Sequence, residues 1–245
     1  MVSVCLATYN GADYIREQLI SILNQLGPDD EIIISDDGSL DATLDIIAEI
    51  SDCRISLICG PQKGVVKNFE AALLMATQEI IILSDQDDIW MPSKLEIMVD
   101  ELKSVDLVVS DCVVVDSELN RIHESFAIAH GTRVGFFYNL YRNGFLGCCM
   151  AFRRELLSFA LPFPSAIPMH DWWIGLVATL FGRVKFLDHK LLLYRRHSKN
   201  ASSASLPSSA PYAIRILQRF QIIFYLSLRI FKFYGVILAL IFHRN

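Results

Sequence analysis

Hydrophobic and polar positions along this chain fall into two alternating periods. Residues 2–7 (Val2-Ser3-Val4-Cys5-Leu6-Ala7) make an apolar run of strand length, as expected of a strand covered on both faces. Asp13 can cap a helix reaching about residue 26, with Ile15, Leu19, Ile22, Leu23 and Leu26 at helical spacing. Gly27-Pro28-Asp29-Asp30 breaks it. A second strand at 31–35 ends in Asp36-Asp37-Gly38-Ser39, and Asp41 opens a helix with Leu44, Ile47 and Ala48 inward. A strand at 54–59, a loop at 60–64 and a helix at 66–76 follow. The run Ile80-Ile81-Ile82-Leu83 then stops on Ser84-Asp85-Gln86-Asp87-Asp88, and Pro92 suits the first turn of a helix begun by Ser93-Lys94-Leu95-Glu96. Strand and helix alternate through the first 90 residues. That predicts an α/β fold with a mostly parallel, Rossmann-like sheet flanked by helices.

The second half is less regular. Strands are expected at 107–111, extending toward 115, and at 147–152, with a short helix at 153–159. Residues 117–145 carry weak signals, and 162–168 read as a proline-bounded loop. His170-Asp171-Trp172-Trp173 opens a helix to about 181, and short strands are expected at 184–187 and 191–194. Residues 201–211, rich in Ser, Ala and Pro, read as a linker, and 212–245 as a separate apolar, basic helical tail. The expected organisation is one domain over 1–200, with a regular half at about 1–110 and a less regular half at about 111–200.

Charge sharpens the picture of the tail. The chain has 245 residues, 53% of them hydrophobic, and a net charge of −5; mean hydropathy is +0.37. Residues 189–245 contain nine Lys and Arg and no Asp or Glu. An acidic body with a basic, apolar tail argues against nucleic acid as partner and for an anionic lipid surface. No uncharged stretch in the tail reaches the roughly 20 residues a spanning helix needs. At helical spacing Arg215, Gln218, Arg219, Gln221, Tyr225, Arg229 and Lys232 share one arc. An amphipathic helix lying in the interface, basic side toward the headgroups, is expected; a hairpin dipping into the bilayer and a dimer interface are the alternatives. Six cysteines lack metal or redox spacing, several within apolar runs. They read as buried, reduced thiols of a cytosolic protein. The apolar start lacks a basic n-region, so no secretory leader is expected.

The candidate chemistry sits at strand ends. Asp85, Asp87 and Asp88 repel one another unless a hard divalent cation neutralises them. The carboxyl ends of strands are where open α/β sheets bind ligands. Asp36 and Asp37 end a second strand in the same way. No Gly-x-Gly-x-x-Gly follows the first strand and no Walker-type lysine loop is present, which disfavours dinucleotide dehydrogenases and P-loop phosphotransferases.

Thr8-Tyr9-Asn10, Asp36-Asp37-Gly38-Ser39 with Asp41 and Thr43, and Asp85-Gln86-Asp87, in this order and spacing, resemble family 2 glycosyltransferases of the GT-A fold. Leu83 to Trp90, Gly60 to Phe69, His170 to Trp173 and Tyr194 to Asn200 resemble its rhamnosyltransferase-type branch, which builds bacterial surface polysaccharides. The resemblance covers roughly residues 2–200. It implies that Thr8, Tyr9, Asn10, Asp37, Asn68 and Asp85 bind the nucleotide, and that Asp87, Asp85 and His197 hold Mn2+ or Mg2+. Position 7 is Ala where some members carry a hydroxyl. Lys63 and Lys67 neighbour the nucleotide, and Arg195, Arg196 and Lys199 supply charge to the diphosphate. Gly147 would let a sugar approach the backbone, and Trp172 and Trp173 would stack on sugar faces.

The chemistry needs a carboxylate opposite the leaving group to take the acceptor proton; Asp171 is the candidate. The expectation is an inverting glycosyltransferase at the inner face of the cell membrane. It would move a sugar, rhamnose by resemblance, from a nucleotide-sugar donor to a glycan or lipid-linked glycan. Oligomeric state stays open. A sugar-phosphate nucleotidyltransferase and a non-catalytic glycan-binding protein are the alternatives; the first would carry a glycine-rich basic loop after the first strand, where Thr8–Asp13 has no Lys or Arg.

Overall fold

The structure, a computed structural model, describes residues 1–197, 200 and 211–242, with side chains as far as 233. Most of the linker expected at 201–211, together with Ser198 and Lys199, lies outside the described residues.

The chain runs β1 (Val2–Thr8), α1 (Ile15–Leu23), β2 (Glu31–Asp36), α2 (Thr43–Ile50), β3 (Ile55–Cys59), α3 (Val65–Met75), β4 (Ile80–Asp85), β5 (Ile89–Trp90), α4 (Lys94–Glu101), β6 (Leu107–Val115), β7 (Arg121–His123), α5 (Phe126–His130), α6 (Phe136–Tyr141), β8 (Met150–Arg153), α7 (Leu157–Ala160), α8 (His170–Phe181), β9 (Val184–Arg195) and α9 (Tyr212–Phe242). The strands form one sheet in the order β3-β2-β1-β4-β8-β6-β9-β5, with β7 on β6. β3, β2, β1 and β4 are parallel. Every residue of β1 is buried, as a central strand with helices on both faces requires. The β3 edge has only partly buried and exposed positions. The helices are amphipathic for the same reason: α1 buries Ile15, Gln18, Leu19 and Ile22, the 3–4 spacing of one face.

Two features of the sheet position the site. The register sets Thr8 beside Asp36 and Ala7 beside Asp85, so three strands end together at one edge. β1 also has β2 on one side and β4 on the other, the switch in strand order that opens a crevice. Farther along, β8 pairs antiparallel with β4, which brings the turn before it, at Gly147, to that same edge. β9 runs parallel to β6 and antiparallel to β5, and so delivers Arg195 and His197 to the loop carrying Asp87.

Several sequence expectations need correction. The two strands expected at 184–187 and 191–194 are one strand, β9. Its polar centre at Asp188-His189-Lys190 stays in the strand because register shifts along β6 absorb the irregularity. Residues 117–145 contain β7, α5 and α6, elements too short for a periodic signal. The helix after Pro92 starts at Lys94, following Ser93 in the left-handed region at φ 67°. Of the six cysteines, all free, Cys53 and Cys59 are exposed.

The tail is helical, but two arginines of its basic arc, Arg219 and Arg229, turn to the protein rather than outward. Arg219 donates to the Tyr141 carbonyl at 2.7 Å and lies over the Trp172 ring at 5.1 Å. Arg229 donates to the carbonyls of Leu161 and Pro162. Ile222 and Leu226 are buried beside them. Carbonyls at the ends of α6 and α7 lack intrahelical partners, and the guanidinium groups satisfy them. The exposed stripe is instead Leu217, Phe220, Phe224, Leu228 and Phe231. Among the described residues no helix is long and apolar enough to cross a membrane.

Candidate active site

A pocket of about 530 Å³ opens over the ends of β1, β2 and β4 and reaches the start of α8, a size that suits a small ligand. At one end β1 turns through Tyr9. Gln86, the middle residue of Asp85-Gln86-Asp87, clamps this turn: its Oε1 accepts from Thr8 Oγ1 at 2.6 Å and from the Tyr9 amide at 2.9 Å, and its Nε2 donates to the Tyr9 carbonyl at 3.2 Å. A Cβ on Gly11 would meet Gln86 Oε1 at 2.3 Å, so only glycine admits the clamp. Tyr9 is exposed on the pocket rim.

The paired aspartates of β2 divide their roles. Asp36 accepts from the amides of Gly38 at 3.0 Å and Ser39 at 2.8 Å and closes the turn. Asp37 lines the pocket and accepts from the Gly64 amide at 2.8 Å and the Lys63 amide at 3.3 Å. Asn68 lines the pocket and donates to the Thr8 carbonyl at 3.1 Å. Asn10, expected at the nucleotide, is turned elsewhere. Its Oδ1 accepts from the Leu40 amide at 2.8 Å and its own amide donates to Ser39 Oγ, so it ties two turns together from a left-handed backbone, φ 50°. Lys67 is likewise drawn away, paired with Glu70 and donating to the Phe163 carbonyl.

The acids lie in the middle. Asp85 and Asp87 both line the pocket, and Asp88 is buried behind them. Burial and then the charges of Asp87 and Asp171 push the Asp85 carboxyl above the usual range. Burial, Asp87 and Asp85 do the same to Asp88. Asp85, Asp88 and Cys148 offer ligand atoms within 4.8 Å of one another. Crowded carboxyls raised in this way are a donor set that a hard divalent cation fits. Asp87 Oδ2 meets His197 Nε2 at 2.9 Å and accepts from Asn200 at 3.1 Å, which places His197 beside one of the pocket's acids. His197 stacks on Tyr14, centroids 4.7 Å apart.

Arg195, expected on a diphosphate, is instead buried and committed to the protein. Its amide donates to Asp88, its Nε to the Asp87 carbonyl, and its two terminal nitrogens to the Ser117 carbonyl and Glu17. It fixes the backbone of the acidic loop. Arg196 reaches Tyr194 Oη at 3.4 Å, and Lys199 lies outside the described residues.

At the far end α8 begins. Asp171 lines the pocket; its Oδ2 accepts from the Gly147 amide at 3.1 Å and its Oδ1 from the Trp172 amide at 2.6 Å. Burial raises its carboxyl to about 6, against the pull of these two amides. Trp172 and Trp173 do not stack in the pocket. Both are buried, with indole N–H groups donating to Asn139 and Ala160 carbonyls at 2.8 and 2.9 Å. Each helical residue turns 100°, so a helix whose start faces the pocket carries the next positions into the core. Gly147 lines the pocket, but a Cβ there would meet His170 Nε2 at 3.1 Å and Asp171 Cβ at 3.4 Å; its smallness serves α8 as well as the opening.

The structure therefore joins Tyr9, Asp37, Asn68, Asp85, Asp87, Gly147 and Asp171 at one pocket, with His197 on Asp87. It sets Asn10, Arg195, Trp172 and Trp173 to structural work. Sequence reasoning passes over Gln86, Asn200 and His170. The repeated polar identity inside Asp-Gln-Asp was a usable signal for the first; Asn200 depends on a fold-back from β9 that no local pattern shows.

Against known proteins, the model of glycosyl transferase family 2 matches residues 3–159. The dTDP-rhamnosyl transferase RfbG of Shigella flexneri is 30% identical over 84% of this chain and 76% of its own. The Escherichia coli UDP-Glc:alpha-D-GlcNAc-diphosphoundecaprenol beta-1,3-glucosyltransferase WfgD is 34% identical over 40% of each chain. The mannosyltransferase PcManGT of Pyrobaculum calidifontis, solved with GDP-Man and Mn2+, superposes with a TM-score of 0.61 at 25% identity, covering 90% of this chain and 63% of that one.

Proposed function

This chain belongs to glycosyl transferase family 2, and on that premise we propose that it moves rhamnose from dTDP-rhamnose to a lipid-linked glycan with inversion at the anomeric carbon. The observation that carries the reading is one pocket lined by Asp37, Asp85, Asp87 and Asp171, residues up to 134 positions apart. RfbG supports the donor and WfgD the lipid-diphosphate acceptor.

In this reading Tyr9 lies against the base, Asp37 and Asn68 hold the nucleoside, and Asp85 and Asp87, with His197 behind, hold Mn2+ or Mg2+. A cation bound there offsets the negative charge that grows on the departing diphosphate. Arg195 holds the acidic loop in place through the Asp87 carbonyl. Asp171 accepts the proton of the acceptor hydroxyl as its oxygen attacks the anomeric carbon, while the bond from that carbon to the diphosphate breaks on the opposite face. Burial suits Asp171 to the role, because a carboxylate with a raised pKa is a stronger base.

The tail belongs to the same reading. An apolar stripe of Leu217, Phe220, Phe224 and Phe231 faces outward and suits burial at the boundary of headgroups and acyl chains, at the inner face of the cell membrane where a lipid-linked acceptor would sit. The division into a nucleotide half to about residue 110 and an acceptor half to about 200 follows the two ends of the pocket.

The test is a screen of nucleotide sugars, read as release of nucleoside diphosphate with and without EDTA. Release from dTDP-rhamnose, abolished by EDTA and restored by Mn2+, is expected. Release from another donor alone contradicts the rhamnose assignment, and release indifferent to EDTA contradicts the cation.

A further inference from the structure

His170 stands beside the proposed base and has no role so far. It is 2% exposed, it lines the pocket, and neither ring nitrogen has a hydrogen-bond partner among the described residues. Its ring lies flat on Phe69 of α3, centroids 3.9 Å apart and planes 23° apart. A buried polar atom without a partner costs roughly 1–3 kcal/mol, and this side chain holds two. Nothing in the packing requires nitrogen at this position, since an aromatic hydrocarbon would stack on Phe69 equally well.

The way in is over Gly147. That residue has no side chain, and a Cβ on it would sit 3.1 Å from His170 Nε2, so glycine is what leaves this nitrogen approachable from the pocket. α3, on which the ring rests, also carries Asn68 and Val65 on the nucleotide wall. His170 is thus placed toward the donor side.

We propose that His170 reads the donor sugar, its imidazole exchanging a hydrogen bond with a ring hydroxyl that enters over Gly147. This rests on the transferase reading above. Burial holds the imidazole neutral, lowering it to about 3, so one nitrogen donates and the other accepts. A hydroxyl can answer either. A neutral group also adds no charge next to Asp171, whose basicity the reaction needs. A site that hydrogen-bonds a hydroxyl discriminates against a sugar lacking it, because the protein group is then left unpaired.

The experiment uses the full chain with Mn2+. The donor is the one that the wild type turns over among dTDP-rhamnose, UDP-glucose, UDP-N-acetylglucosamine and GDP-mannose. Wild type, His170→Phe, His170→Gln and Gly147→Ala are compared for nucleoside diphosphate affinity, for donor KM in acceptor-independent hydrolysis, and for melting temperature. His170→Phe is expected to bind nucleoside diphosphate as the wild type does, to melt no lower, and to raise donor KM about tenfold to a hundredfold. His170→Gln, which keeps a donor and an acceptor, falls between, and Gly147→Ala raises donor KM as His170→Phe does, while its melting temperature is not read, since its Cβ also meets Asp171. An unchanged donor KM overturns the proposal. So does a parallel loss of diphosphate affinity or a lowered melting temperature, since either marks a packing role. A wild type that turns over none of the four donors strikes at the transferase reading itself.

Discussion

At the scale of single residues, Asp171 joins environment to reactivity most directly. It is 7% exposed, and its carboxyl rises to about 6 because burial outweighs two backbone N–H donors. The titratable groups facing it are His170, held neutral by burial, and Asp85, which shares the pocket. In the proposed reading the base acts as the carboxylate, and below about pH 6 Asp171 carries a proton. Turnover should therefore fall tenfold per pH unit as pH drops below about 6, and a pH profile of kcat/KM checks this. Asp171→Asn keeps the shape and loses the base; kcat should drop about 10²–10⁴-fold, with nucleoside diphosphate affinity unchanged by calorimetry. The neighbouring acids show how little a motif says about roles within it. Asp36 and Asp37 are adjacent, yet one closes a turn and the other lines the pocket, because β2 ends at Asp36 and Asp37 already belongs to the loop that Gly64 and Lys63 bond.

At the scale of elements, the strand ends and the start of α8 were legible, but not which side chains of α8 face the pocket. Each of β1, β2 and β4 is an apolar run stopped by polar residues, so their ends, and the site on them, stand out in the sequence. From the sequence, Trp172 and Trp173 read as stacking on sugar faces beside Asp171. In α8, however, only the first two face the pocket, and Trp173 is fully buried with its indole bonded to Ala160. Trp173→Ala should cost about 3–5 kcal/mol in urea unfolding, and the folded fraction should keep its donor KM; a selective rise in acceptor KM would return the indole to the sugar. The loop after β9 is illegible for another reason. Arg195 bonds Asp88 and the Asp87 carbonyl across 107 and 108 positions, and no local pattern announces a partner at such distance. Removing its side chain in Arg195→Met leaves buried carbonyls unpaired, so a loss of about 2–4 kcal/mol in stability is expected, read by the same unfolding assay.

At the scale of the whole molecule, one sheet carries the pocket and the tail helix α9 carries an exposed apolar stripe. The alternation of the first 90 residues foretells the parallel half, whereas the antiparallel additions β8 and β5 depend on pairings between distant segments. The tail was legible as amphipathic but not as to which side faces out. Composition shows the basic arc, and only packing shows its arginines spent on Tyr141, Leu161 and Pro162 carbonyls. The outward stripe is apolar, so membrane binding should be hydrophobic. Sedimentation with anionic vesicles should persist at about 0.5 M salt, where exposed charges are screened. It should be lost in a Phe220→Ser, Phe224→Ser, Phe231→Ser variant that melts as the wild type does.

The arrangement of distant acids around one cation-bearing diphosphate underlies all of this. Its most direct measurement is anomalous scattering from a crystal of the full chain grown with Mn2+ and a nucleoside diphosphate. The account predicts a manganese peak in contact with Asp87 and the diphosphate, with Asp37 on the nucleoside side and Asp171 facing the diphosphate across the pocket. A nucleotide bound elsewhere, or manganese away from Asp85 and Asp87, would contradict it.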